Sequence, residues 1–391
     1  MSTINDSAHT SRLSTGIKDF DNVLGGGIVA GGVVLIAGQP GIGKSTLLLQ
    51  VAAMAAKQAN ILYVSGEESA EQVRLRAKRL GADTHDSLQF VASTSANDIG
   101  ATIRAGKYEL VIVDSIQTLS LEEVTSAPGS VSQITNSSNV VIRAAKESGS
   151  AVMLVGHVTK EGSIAGPKVL EHLVDVVLQF EGDRYGGFKV VRASKNRYGS
   201  TSEAAIFEMD ETGLRVVENP SAALLSERQN DDGSVVLATM EGTRPLLVEI
   251  QALVNPTSFG YPKRTASGFD LNRLNLLVAV LERRTKLKLS DKDIYINVVG
   301  GLRLSDPAAD LAVCIAIASA AAERRLDDGL VVFGEVGLGG EVRSVAHVDR
   351  RIAEAKKLGF TKALAPASSR KVAFIQPVKS LRQALIDYLA K

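Results

Sequence analysis

The chain has 391 residues, 45% hydrophobic and 22% charged, which is long enough for two cores and near the ceiling for one. Its 44 basic and 43 acidic residues leave a net charge of +1, so any nucleic-acid binding must come from local patches and not from a global basic field. One cysteine, Cys314, excludes an internal disulfide or a multi-cysteine zinc site; the polar residues 1–12 and the lack of any run near ~20 apolar residues predict a cytoplasmic chain with no signal peptide or membrane span.

Residues 1–10 read as a flexible N-terminus. Ile17, Phe20 and Leu24 then fall at helical spacing, and Gly25, Gly26 and Gly27 stop that turn, a structural lead-in to an apolar strand at 33–37. The next residues are Gly38, Gln39, Pro40, Gly41, Ile42, Gly43, Lys44 and Ser45, with Thr46 opening a helix to about residue 56. Strand, glycine loop and helix together are the context that confirms a P-loop. Backbone N–H groups near the three glycines approach phosphate oxygens and the helix N-terminus adds its dipole. Lys44 would reach the β- and γ-phosphates of a nucleotide, and Ser45 would hold Mg²⁺.

A strand at 61–64 ends at Glu67 and Glu68, and Ser69 with Gln72 forms a capping-box pattern for a helix to Leu80. Either carboxylate, at a strand's C-terminal end, could polarise the water that attacks the γ-phosphate. The buried-strand pattern at 110–114 ends in Asp114, where a second Mg²⁺ ligand belongs, with Ser115 and Gln117 as further polar contacts. A long loop covers 119–132, a helix 132–148 and a strand 151–155. His157, at that strand's end, could sense the γ-phosphate, although a lone histidine there is more often structural. Lys160 and Lys168 lie on the Gly-rich stretch that follows, which suits phosphate-backbone contact and equally a solvated surface loop. Strands at 174–180 and 188–193 lead to Lys195, Asn196, Arg197, Tyr198 and Gly199, whose two cations could complete a nucleotide site on a neighbouring subunit or, in isolation, make a plain basic turn.

The polar, turn-rich residues 219–233 read as a linker between a domain at 11–218 and another at 234–391. Beyond it, strands at 234–240, 246–254, 293–304 and 331–335 alternate with helices at 271–284, 307–324 and 348–358, an α+β pattern in which Cys314 is a buried apolar side chain. Two locally basic groups, one with Lys263, Arg264, Arg273, Arg283, Arg284, Lys286 and Lys288, the other with Arg343, Arg350 and Arg351, could contact phosphates or serve as solvated surface.

The stretches 20–27, 38–45, 63–69, 113–117, 156–160, 166–172 and 195–199 together resemble the bacterial RadA (Sms) family, RecA-like DNA-repair ATPases related in their core to RecA, DnaB and KaiC. The last stretch matches the family's K-N-R-F-G signature with Tyr198 for Phe. The resemblance, from about Ser11 to the C-terminus, implies a RecA-like P-loop ATPase domain followed by a Lon-protease-like (S5-like) α+β domain. It implies a hexameric, DNA-dependent ATPase of homologous recombination and the response to DNA damage, which binds single-stranded and branched DNA and drives branch migration with RecA. Lys44 and Ser45 would then bind ATP and Mg²⁺, Asp114 would be the Walker-B carboxylate, Glu67 the catalytic carboxylate, and Lys195 and Arg197 would act at the subunit interface. Lys160 and Lys168 would face DNA. The family's usual N-terminal four-cysteine zinc finger has no counterpart before Ser11, whether by natural shortening or removal.

The stretches 241–254, 297–301 and 332–338 resemble the Lon-type domain, which raises ATP-dependent proteolysis as a rival. Laying the Lon pattern on this chain puts Ala308 at the serine position and Asp349 at the lysine position, so nucleophile and base are both missing and no peptidase is expected. Two rival functions stay compatible with the motifs: a nucleotide-switched DNA-binding scaffold that does not translocate, and a KaiC-like signalling ATPase.

Overall fold

Apolar runs of five to seven residues, at Val33–Gly38, Ile61–Ser65, Leu110–Asp114 and Ala151–His157, are buried along almost their whole length, as strands covered on both faces must be. In the computed structural model, which describes residues 12–81, 85–157, 169–182, 187–258, 260–367 and 372–389, they form the centre of a nine-stranded sheet. Its spatial order is Gly213–Val216, Ala204–Asp210, Phe188–Asn196, Val176–Gly182, Val33–Gly38, Ala151–His157, Leu110–Asp114, Ile61–Ser65 and Leu88–Ala92. From Val176–Gly182 to Leu88–Ala92 every pairing is parallel, and the other three pairings are antiparallel.

Successive side chains of Val33–Gly38 enter opposite cores. Val34 and Ile36 pack with Leu47, Val51 and Val73, whereas Val33 and Leu35 pack with Ile99, Ile134 and Val141. Helices therefore cover both faces: Lys44–Ala55 and Ala70–Arg79 on one, Ala96–Ala105 and Val131–Ser148 on the other. The C-terminal end of the P-loop strand, between Val176–Gly182 and Ala151–His157, is the usual ligand position in open α/β sheets, here termed the crevice.

The chain divides between Val217 and Glu218 into two units. The linker read at 219–233 is not one throughout: Pro220–Leu225 is a helix, capped by Asn219, whose fully buried Ser221 donates to Glu354 Oε1 at 2.7 Å and accepts from the Leu247 N–H at 3.1 Å. Its polar residues gave a loop signal, but Ala222, Leu224 and Leu225 supply one apolar side to the second unit.

That unit holds a seven-stranded mixed sheet in the order Arg264–Ser267, Lys292–Val298, Arg244–Pro256, Ser234–Glu241, Leu330–Val332, Lys362–Pro366 and Ile375–Val378. Helix Ala309–Ala322 is apolar all round and almost wholly buried, Cys314 included. The strand read at 293–304 stops at Val298, where a 3-10 turn at Val299–Gly301 with Gly300 at a φ of 85° breaks it.

Candidate active site

The P-loop emerges as the sequence predicts. Helix Lys44–Ala55 starts at Gly43, whose φ of 115° belongs to glycine, and its first N–H groups have no side-chain cap. Gln39, Pro40 and Gly41 are exposed at the crevice, while Ile42 anchors the loop in the core. Ser45 and Thr46 follow in the helix's first turn, half-buried. Lys44 is 4% exposed, and its ammonium donates to the carbonyls of Gly38 and Gln39, both at 2.9 Å.

Sheet register brings the remaining groups to the same end. Gly38 is level with His157 on the adjacent strand, and Ser65 is level with Asp114. Lys44 Nζ lies 3.2 Å from His157 Nδ1. An ammonium has no lone pair, so Nδ1 accepts and the ring proton sits on Nε2, which faces Glu67 Oε1 at 3.4 Å. The same Glu67 oxygen accepts from Ser115 Oγ at 2.7 Å. A polar chain thus runs from Lys44 through His157 and Glu67 to Ser115, across strands far apart in sequence.

Glu68 points elsewhere: Arg76, two turns along the capped helix, holds both of its oxygens, at 3.1 and 2.8 Å. The capping box itself forms, with the Gln72 N–H on Ser69 Oγ at 3.3 Å and the Ser69 N–H on Gln72 Oε1 at 2.9 Å. Glu67, half exposed, is the carboxylate of the two that joins the Lys44 and His157 group.

Asp114 is 8% exposed, and Tyr63 donates its hydroxyl to Oδ2 at 2.7 Å. Burial first, then the Asp114 charge, pushes the Tyr63 phenol well above its usual value, so it stays a donor. One Asp114 oxygen remains beyond that contact. With the Ser45 hydroxyl it makes a donor set of hard oxygens, the kind Mg²⁺ takes, and these two residues would hold the ion of an ATP complex. Tyr63 was not singled out from sequence. The available signal was a hydroxyl inside the apolar run 61–64, because a buried phenol needs a partner.

Lys195 and Arg197 stand at the other end of the sheet. Asn196 is level with Val176, the opposite end of that strand from Phe180, which is level with Gly38. Arg197 pairs at 3.0 Å with Asp175 Oδ1, and Asp175 Oδ2 accepts from the Val33 N–H at 3.0 Å. Five residues of strand separate Val33 from Gly38, about 17 Å at roughly 3.3 Å per residue, so neither cation reaches this chain's own P-loop. Lys195 donates to the carbonyls of Glu171 and Val174 at 2.6 and 2.7 Å; partial burial and then the neighbouring Arg197 lower its pKa. Lys160 and Lys168 lie outside the described residues.

Two arginines of the basic groups, open in sequence to phosphate contact or to solvation, pair with carboxylates of the second unit. Arg351 is 1% exposed, paired with Asp306 at 2.7 Å and donating to the Ala238 carbonyl at 2.7 Å. Arg273 makes a two-pronged pair with the buried Asp310 and donates to the Val336 carbonyl at 3.0 Å. Their sequence neighbourhoods are basic, but the fold turns them inward.

A family profile described as "AAA domain" matches residues 6–163, and one described as "Subunit ChlI of Mg-chelatase" matches residues 275–369. The DNA repair protein RadA of Halalkalibacterium halodurans is 51% identical over 91% of this chain and 78% of its own length. The chain belongs to the RadA family. Two further relatives are the RadA proteins of Bacillus subtilis, 50% identical over 93% of this chain and 80% of its own length, and Aquifex aeolicus, 49% identical over 91% and 80%. RadA membership and the sheet described above make the first unit a RecA-like P-loop ATPase, joined to a Lon-like second unit, in a family of DNA repair proteins. Among the described residues no helix is long and apolar enough to cross a membrane.

Proposed function

We propose that this chain is a DNA-dependent ATPase that assembles into a ring, hexameric as the family resemblance implies, binds single-stranded and branched DNA and drives branch migration together with RecA. The observation that carries the ATPase part is the polar chain Lys44–His157–Glu67–Ser115 at the P-loop crevice. Lys44 exchanges its contacts with Gly38, Gln39 and His157 for the phosphates of ATP. Glu67 accepts the proton of the attacking water, a role worth ~10²–10⁴-fold in rate. Ser45 and Asp114 would hold Mg²⁺, which would supply positive charge against the phosphates.

A shared site is supported by the separation of Lys195 and Arg197 from their own P-loop: each subunit's pair completes the site of the next. Mixing Arg197→Ala with Lys44→Ala protein then restores hydrolysis that neither variant has alone, because some interfaces join an intact P-loop to an intact cation pair. No recovery in mixed rings would defeat the shared site.

DNA coupling is tested by ATP hydrolysis with and without single-stranded DNA at fixed low salt, followed by movement of a branched substrate. Stimulation and branch movement are expected. Stimulation without movement would favour the scaffold reading, and indifference to DNA the signalling reading. The second unit is proposed as an assembly and DNA-contact domain and not a peptidase: a fully buried Ala308 stands at the Lon serine position and the exposed Asp349 at the lysine position.

A further inference from the structure

The glycine-rich lead-in at residues 20–27 has no part in the P-loop crevice, yet it is built against the far end of the sheet where Lys195 and Arg197 stand. Helix Lys18–Val23 packs on strands Phe188–Asn196 and Ala204–Asp210, with Phe20 and Val23 fully buried. Asp21 is its hub. The carboxylate accepts from Ser14 Oγ at 2.7 Å, the Thr15 N–H at 2.8 Å and Thr15 Oγ1 at 2.7 Å, while its carbonyl accepts from the N–H groups of Gly26 at 2.7 Å and Gly27 at 3.1 Å. Gly25, Gly26 and Gly27 have φ values of 86°, 107° and 118°, so the turn requires glycine three times over.

That turn touches the K-N-R-Y-G segment backbone to backbone. A Cβ on Gly25 would lie 3.0 Å from Gly199 Cα and 3.0 Å from the Tyr198 carbonyl; a Cβ on Gly199 would lie 2.7 Å from Gly25 Cα. Asn196, between the two cations, donates its amide to the Val23 carbonyl at 3.1 Å and accepts the Tyr198 N–H at 2.9 Å. Arg12 closes the other side by donating to the Tyr198 carbonyl at 3.0 Å. Arg197 is thus fixed at its backbone on both sides, while its side chain, joined to Asp175, stays more than half exposed.

We propose that the Gly25–Gly27 turn, Gly199 and Asn196 are positioning elements that aim Lys195 and Arg197 at the nucleotide of the adjoining subunit, an inference that rests on the shared-site reading above. Asn196 occupies the place between the cations because only a side chain with both a donor and an acceptor ties Val23 to Tyr198 at once. A loosened loop misplaces the guanidinium, and an ångström of misplacement costs about 100-fold in rate without touching the P-loop that binds ATP.

The test uses full-length Asn196→Ala, which removes two hydrogen bonds, and Gly199→Ala, which inserts a methyl against Gly25. Both are expected to bind a fluorescent ATP analogue with parental affinity and to hydrolyse ATP about 100-fold more slowly. Each regains hydrolysis when mixed with Lys44→Ala and gains nothing when mixed with Arg197→Ala, because it fails at the same half of the site. A parental rate for Asn196→Ala, weakened ATP binding in both variants, or recovery with Arg197→Ala would overturn the bracing role. If Lys44→Ala and Arg197→Ala fail to complement each other, the shared site falls and this inference with it, whereas success of that pair beside a normal rate for Asn196→Ala removes the bracing alone.

Discussion

Glu67 and Glu68 are adjacent and chemically alike, but their neighbours divide them. Ser115 and His157 hold Glu67 at the crevice, and Arg76 holds Glu68 away from it. Glu67→Gln is expected to lower the hydrolysis rate about 100-fold or more while ATP binding persists, and Glu68→Gln to change it by less than about threefold. Equal losses in steady-state assays would defeat the assignment. Tyr63 gives a separate prediction. Its proton stays bound in the folded chain above the usual phenol value, whereas the unfolded chain releases it near pH 10. The folded state then binds more protons, so stability falls as pH rises above about 10, by at most about 1.4 kcal/mol per pH unit from this group. Tyr63→Phe lacks that dependence. It should cost ~1–3 kcal/mol near neutral pH, because a buried carboxylate oxygen loses its donor, and the gap should narrow in urea titrations at pH 10–11.5. A gap constant with pH would contradict the buried, protonated phenol.

Short-range chemistry governs the elements that were legible. The capping box at Ser69 and Gln72 needs only residues three apart, and both bonds form where the pattern put them. Ser69→Ala is expected to destabilise the first unit by about 1 kcal/mol in chemical denaturation, and an unchanged midpoint would mean the cap is idle. Strand runs at 33–37, 61–64 and 110–114 were equally plain, since strands buried on both faces are uninterrupted apolar runs. Strands Ala204–Asp210 and Gly213–Val216 were not assigned from sequence. The first mixes a four-residue buried stretch with an exposed Glu-Met-Asp end, a weak pattern that antiparallel pairing with its neighbours completes.

In the second unit the buried Arg351 pairs with the largely buried Asp306 beside Ala308, whose N–H donates to Asp306 Oδ1 at 3.0 Å. Arg351→Met leaves that carboxylate buried without its cation and should destabilise the unit by about 3–5 kcal/mol in denaturant unfolding. A loss under about 1 kcal/mol would mean water reaches Asp306 in place of the arginine. The same region is expected to show no ATP-dependent casein digestion, and digestion by the purified chain would overturn the loss of nucleophile and base. For the molecule as a whole, the sequence by itself determined the chemistry that depends on consecutive residues: the phosphate loop, the carboxylate ending the buried strand at 110–114, and the presence of two units. Tertiary structure decided which groups meet. Lys44 and His157, 113 residues apart, touch because their strands are neighbours in the sheet. Lys195 and Arg197 stand at the opposite end because the antiparallel return of strand Phe188–Asn196 carries them there, and Arg273 and Arg351 turn from solvent toward the carboxylates of Asp310 and Asp306. Strand order and register are properties of the assembled sheet, since they depend on how distant runs share two cores, and no local stretch of sequence encodes them.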